Sequence, residues 1–169
     1  MRRMIVNANG GNKVNQPEPL SPSALIRPLE PGDLPYLHRC YIRNYSETAW
    51  RRRLYGIPKQ CLDEGLEATW RRMIRDSSGL IAVFSESPDL IMGWVLYEPA
   101  NQAVHYIHVR ERMRRMGVGA SLIVDATSKW SAIAYTHDTP DWQEFLTRIK
   151  LTAHYDPFRA DFSAKEMQG

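Results

Sequence analysis

Cysteine is scarce in this chain: Cys40 and Cys61 are its two cysteines in 169 residues, with no paired CxxC spacing and no His/Cys cluster at zinc-ligand spacing. A disulfide framework and a structural metal are therefore excluded as organising devices. Long apolar runs are lacking too, since none reaches the roughly 20 residues that a bilayer-spanning helix requires, and no lipidation signal is recognisable. Met1 to Ser23 carries Arg2 and Arg3 but continues into Asn, Gly and Pro instead of an apolar core, which is not the pattern of a secretory signal. That stretch is expected to be a disordered leader (1–23) on a soluble, cytoplasmic protein with no membrane partner. Repeats and low-complexity tracts are absent.

What is present suits one domain. A chain of 169 residues buries about two-thirds of its unfolded surface without staples. Charge is uneven: the part through Ser85 carries a net +5 and the remainder −2. The excess sits in Arg51-Arg52-Arg53 and Arg71-Arg72-Arg75, interleaved with Trp50, Tyr55 and Trp70. Basic and aromatic residues together bind nucleic acid, but the solvated face of a helix whose Trp and Leu point inward has the same composition. The expectation is that these arginines lie on solvated faces.

The most informative stretch is Val109-Arg110-Glu111-Arg112-Met113-Arg114-Arg115-Met116-Gly117-Val118-Gly119-Ala120. Before it, Ala103 to Val109 is rich in β-branched and aromatic residues; after it, Val118, Leu122, Ala126 and Trp130 recur at helical spacing. The loop thus opens a helix. A helix start leaves backbone N–H groups without intrahelical partners, and glycine removes the Cβ that keeps an anion away from them. Arg114 and Arg115 add guanidinium groups at the same mouth, so a diphosphate would meet aligned amides, the helix dipole and positive charge together. A P-loop is excluded because it needs Gly-Lys-Ser/Thr after its spacer, and a dinucleotide fingerprint is excluded because Leu122 stands where its third glycine belongs.

Arg114-x-x-Gly117-x-Gly119, with Val109 five residues before the arginine, resembles the acetyl-CoA loop of the GNAT superfamily of acyl-CoA N-acyltransferases. Leu25 to Leu37 resembles that family's opening, a first strand followed by an acidic helix cap. The resemblance spans residues 24–157, leaving 158–169 as a tail or short last strand. It implies an α/β (α+β type) fold: a mixed, mostly antiparallel twisted sheet of about six strands flanked by about four helices. It also implies acetyl-CoA as acyl donor, with Arg114, Arg115, Met116, Gly117, Val118, Gly119 and Ala120 on the pyrophosphate. The backbone of Ile107, His108 and Val109 would hold the pantetheine arm and acetyl carbonyl.

Element signals agree with that outline. Ala24 to Leu29 reads as a strand, with Asp33 as the N-cap of a helix carrying Leu34, Leu37 and Tyr41. Ser46 reads as the cap of a short helix holding Trp50 and Leu54, stopped by Gly56 and Pro58. Leu62, Leu66, Trp70 and Ile74 mark a longer amphipathic helix. Leu80 to Ser85 and Leu90 to Tyr97 form a hairpin around Glu86-Ser87-Pro88-Asp89, and Ala103 to Val109 continues the meander. The helix opened by Gly117 runs to about Lys129. Ala132 to Thr136 is a parallel strand, Asp138, Thr139 and Asp141 offer caps for a helix with Trp142, Phe145, Leu146 and Ile149, and Leu151 to Tyr155 is a last strand.

Acetyl transfer to an amine needs a base for the ammonium proton and an acid for the departing thiolate. His105 is the base candidate, because imidazole titrates near neutrality and its place four residues before Val109 resembles a strand-four histidine of arylalkylamine-type GNAT enzymes. Strand alternation puts His105, Ile107 and Val109 on one face and Tyr106 and His108 on the other, making His108 a distinct second candidate. Glu98, at the end of the previous strand, is a third. Many family members carry an acid tyrosine in the helix after strand five, but Phe145 or Leu146 stands there, and Tyr155 is the substitute candidate. The thiol leaves with solvent's help in any case, since its pKa is about 8.5. The short segment after Tyr155 implies an open acceptor pocket or one completed by a second subunit in a homodimer. The leading reading is an acetyl-CoA-dependent N-acetyltransferase acting on a primary amine of a small molecule or protein, by direct attack in a ternary complex. The alternatives are a catalytically silent acyl-CoA-binding or protein-interaction module, and a nucleic-acid-directed acyltransferase or binder using the arginine clusters.

Overall fold

The computed structural model describes residues 24–47, 56–130, 132–137 and 140–157. The expected leader, the helix around Trp50 and Leu54, the Arg51-Arg52-Arg53 run, Asp138, Thr139 and the tail after Pro157 lie outside them. One mixed sheet holds six strands in sequence order: β1 (Ala24–Pro28), β2 (Ser78–Phe84), β3 (Ser87–Glu98), β4 (Ala103–Val109), β5 (Ala134–Tyr135) and β6 (His154–Tyr155). The first four form an antiparallel meander, while β4–β5 and β5–β6 are parallel. Among the described residues four helices cover it: α1 (Leu34–Glu47), α2 (Lys59–Asp76), α3 (Val118–Thr127) and α4 (Pro140–Ile149).

Each face of the sheet has its own core, as alternating strands require. Leu37, Tyr41 and Tyr45 of α1 and Leu66, Trp70 and Met73 of α2 pack with Ile81, Trp94, Leu96 and Tyr106 on one side. Val118, Leu122, Ile123 and Ala126 of α3 and Trp142 and Leu146 of α4 pack with Ala82, Met92, Val95 and Val104 on the other. Leu62 and Ile74, expected on the same helical stripe as Trp70, border the first core.

Local differences from the sequence expectations have identifiable causes. Asp33 does not cap α1 directly; it closes a 3-10 turn over Pro31–Asp33, accepting the Glu30 N–H at 2.9 Å and two Arg27 hydrogen bonds at 2.8 Å. The strong pairing with Arg27 holds its carboxyl below the usual carboxylate range. Ser46 does not start a new helix, because α1 continues through Glu47. β5 and β6 are shorter than expected because each contributes just two paired residues.

Gly93 fixes the end of the β3–β4 ladder. It pairs with Val109, and a Cβ there would stand 2.7 Å from the His108 carbonyl oxygen and 3.2 Å from Val118 Cγ1. Backbone offers no flexible end to move aside. Gly93→Ala is expected to cost about 1–3 kcal/mol, the range for overpacking, read as a lower urea midpoint at unchanged slope. An unchanged midpoint would show that β4 gives way freely at its C-terminal end.

Candidate active site

The loop between β4 and α3 has the backbone that the glycines anticipate. Gly117 is the N-cap of α3 with φ 80°, and Arg115 also has positive φ, 67°. For arginine that left-handed conformation is strained. Val118, Gly119 and Ala120 form the first turn, where a helix leaves its amides without intrahelical acceptors. Val118 is 1% exposed, so its side chain anchors the turn in the core while its amide stays at the mouth. Arg114, Arg115 and Met116 are exposed. Arg114 Nη1 lies 3.8 Å from Asp141 Oδ2 at the start of α4, an exposed pair that costs little to break.

Gly119 owes its small size to a different neighbour than an anion. Its missing Cβ points at α4, 3.1 Å from Phe145 Cε2 and 3.4 Å from Val109 Cγ2. Glycine here lets α3, α4 and β4 approach, so a substitution would disturb packing before it touched a ligand.

β4 and β5 pair only at Ala103–Ala134 and Val104–Tyr135, flanked by bonds from Ala134 N–H to the Gln102 carbonyl at 3.0 Å and from Thr136 N–H to the Val104 carbonyl at 3.2 Å. β4 continues to Val109 beyond the last pair. The Arg110 N–H bonds the Met92 carbonyl at 2.9 Å, which sets the phase of the antiparallel ladder. His108 directs its peptide groups toward β3, whereas Ile107 and Val109 direct theirs to the open edge. Of the three backbone units expected to line a pantetheine arm, His108 is thus turned away.

A β-bulge decides where His105 points. Leu96 pairs with Tyr106 and Tyr97 with Val104, so His105 is the extra residue on β4. Strict alternation fails there. Ile107 and Val109 pack toward α3 and α4, but His105 turns to the α2 side with Tyr106 and His108, contrary to the face assignment made from the sequence.

On that side a recess of about 240 Å³ is lined by Thr69, Arg72, Met73, Asp76, Glu98, His105, Thr136, His137 and Pro157. His105 is 3% exposed, with Nδ1 3.1 Å from Thr136 Oγ1 and Nε2 3.4 Å from Glu98 Oε2. Glu98 is 6% exposed; Oε1 accepts a 2.7 Å bond from Asn101, while the neighbour of Oε2 is the His105 ring at 3.4 Å, too long for a well-formed bond. Thr136 Oγ1 also meets His137 Nδ1 at 2.8 Å. Burial lowers the pKa of His105 despite the opposing pull of Glu98, and burial takes His137 down to about 4.

His108 sits in a neighbouring polar cluster. The Asn44 amide donates to Tyr106 Oη at 2.8 Å and lies 3.1 Å from His108 Nδ1. Burial, then the charges of Arg114 and Arg110, lower the His108 pKa to about 4. Arg110 itself is held by α1, donating to Tyr36 Oη at 2.8 Å. Tyr155 is not brought to the recess: it lies on β6, 49% exposed, with its ring 5.5 Å from that of Tyr135.

Three imidazoles with lowered pKa make stability depend on pH. In the unfolded chain they take up protons near pH 6.5, but His108 and His137 resist until about pH 4 in the folded state. Their contribution is full above pH 6.5 and is lost as pH falls through that window. The urea midpoint is expected to be lower at pH 5 than at pH 7.5, with net proton uptake on unfolding at pH 5.5. Equal midpoints would contradict these placements.

Thr136 and His137 escaped the sequence reading, which ended with Thr136 as strand. Their signal was weak but present: polar residues directly after a buried parallel strand, where sites in α/β sheets gather. Arg72 is exposed, as expected, and also borders the recess, while Arg71 keeps a solvated ion pair with Glu67 at 3.1 Å. Among the described residues no helix is long and apolar enough to cross a membrane.

This fold recurs in solved structures. A crystal structure from Corynebacterium glutamicum, named histone acetyltransferase HPA2 and related acetyltransferase, is similar with a TM-score of 0.54 at 16% identity, over 75% of this chain and 83% of that one. The fold is that of the GNAT acyltransferases. A GCN5-related N-acetyltransferase structure from Rhodopseudomonas palustris shares the GNAT fold with a TM-score of 0.52 at 15% identity, over 78% of this chain and 82% of that one. No family model and no curated protein matches the sequence. At such identities the likeness establishes the GNAT fold, and the chemistry rests on this chain's own side chains.

Proposed function

We propose that the protein is an acetyl-CoA-dependent N-acetyltransferase whose acceptor is a primary amine. The observation that carries this reading is the unpaired edge of β4, with Ile107 and Val109 facing it, running from the arginine-bearing start of α3 toward the recess that holds His105. Pyrophosphate would take the first-turn amides of Val118, Gly119 and Ala120 together with Arg114 and Arg115. The pantetheine arm would complete the broken β4 edge as a strand does, with its amides on the free groups of Ile107 and Val109. Its thioester then reaches the bulge.

The acceptor amine would approach from the α2 side. Its ammonium would donate to Glu98 Oε2, which has no well-formed bond, and lie beside His105 Nε2, moving apart two atoms that stand 3.4 Å from one another. His105 takes a proton as base, and the neutral amine attacks the thioester carbonyl. The new C–N bond forms, the C–S bond breaks, and the thiolate takes up a proton. Tyr155 is half-exposed and away from the recess, and solvent suffices for a thiol of pKa about 8.5.

The test is thiol release from acetyl-CoA against pools of polyamines, aminoglycosides, lysine peptides, peptide N-termini and nucleobases, alongside calorimetric CoA titration. CoA binding without release on any amine would favour a silent acyl-CoA-binding module.

A further inference from the structure

The Thr136 side chain touches both imidazoles of the recess. We propose that its hydroxyl relays the acceptor's proton from His105 to His137, a role that rests on the acyltransferase reading of this site. Thr136 Oγ1 lies 3.1 Å from His105 Nδ1 and 2.8 Å from His137 Nδ1. A hydroxyl donates one bond and accepts another, so it joins two neutral imidazoles without leaving a lone pair facing a lone pair.

The transfer balances atom by atom. The amine N–H breaks as His105 Nε2 gains that proton; His105 Nδ1–H breaks as Thr136 Oγ1 gains its proton; the hydroxyl gives its original proton to His137 Nδ1. His105 and Thr136 return neutral, and His137, largely buried in the wall of the recess, carries the charge. The groups facing this chain are Glu98 from β3, Arg72 and Asp76 from α2 and Tyr106 from β4, with Tyr45 of α1 edge-on to His137. Burial, with a smaller contribution from Arg72, keeps both imidazoles neutral at pH 7, so the relay is empty and ready to accept. His105 at 3% exposure has no route of its own to bulk water, which is what a relay supplies.

Thr136→Val is isosteric and keeps the backbone N–H on Val104; Thr136→Ser keeps the hydroxyl. The Val variant is expected to bind CoA as the wild type does and to lose about tenfold or more in kcat. Its proton inventory in H2O/D2O mixtures should become linear where the wild type's is curved, with the Ser variant restored. Full kcat in the Val variant, or loss in both variants alike, would overturn the relay. Imidazole 15N spectra decide the same point without turnover: the Val substitution should change the Nδ1 signals and titration of His105 and His137 together. If both titrate as in wild type, Thr136 joins nothing and the proposal fails. If they change together while no amine is acetylated, the hydrogen-bond chain stands and the acyltransferase reading falls.

Discussion

His105→Gln is expected to leave the fold and CoA affinity intact and to lower amine acetylation by about a hundredfold or more, the scale of general-base catalysis. Glutamine can keep a donor toward Thr136 Oγ1, so the 3.1 Å bond that orients the wild-type ring has a substitute, but an amide takes no proton at pH 7. Because burial lowers the His105 pKa, the acid limb of the wild-type kcat/KM profile should fall below pH 6.5, the ordinary imidazole value. In the variant that component disappears, and the deficit shrinks as pH rises and more amine is already deprotonated. Full activity for His105→Gln together with loss in His108→Gln would move the base to the Asn44 cluster.

The second large effect belongs to the arginines of the β4–α3 loop. Reversing both, Arg114→Glu with Arg115→Glu, places two carboxylates at a helix start that would otherwise attract anions, and CoA affinity is expected to fall by at least about a hundredfold, or 2.8 kcal/mol. Arg115→Gly separates charge from backbone. Arginine at φ 67° is strained, so glycine there should leave stability unchanged or raise it slightly, while CoA affinity falls several-fold with the lost guanidinium. Lowered stability with unchanged affinity would mean that Arg115 serves the fold. Gly119→Asp is a poorer probe, because the collision with Phe145 would act on folding first.

The strand–loop–helix turn was legible because its signals are local: a β-rich run up to Val109 and a helical period from Val118, with glycine between them. The meander was legible for a similar reason, its turns and alternating strands being short-range signals. The orientation of His105 was not. One extra residue in β4 turned it to the α2 face, and a bulge depends on how Leu96 and Tyr97 pair across the sheet, which no period within β4 encodes. Thr136 and His137 stayed hidden because their meaning comes from His105, 31 residues away in sequence for the Thr136 contact. Gly119 was read as admitting an anion to the helix start, and the structure shows a packing reason that the sequence did not reveal, since a Cβ there would stand 3.1 Å from Phe145 Cε2.

The central claim is that the arginine-bearing loop, the open β4 edge and the His105 recess form one acetyl-transfer site. Amine-dependent release of free thiol from acetyl-CoA, measured in parallel on wild type, the double arginine reversal and His105→Gln, tests it most directly. Saturable release by the wild type is expected, with a raised KM for acetyl-CoA in the loop variant and a lowered kcat at unchanged KM for acetyl-CoA in His105→Gln. Release that is unaffected by both changes, or no saturable binding of CoA at all, would contradict it.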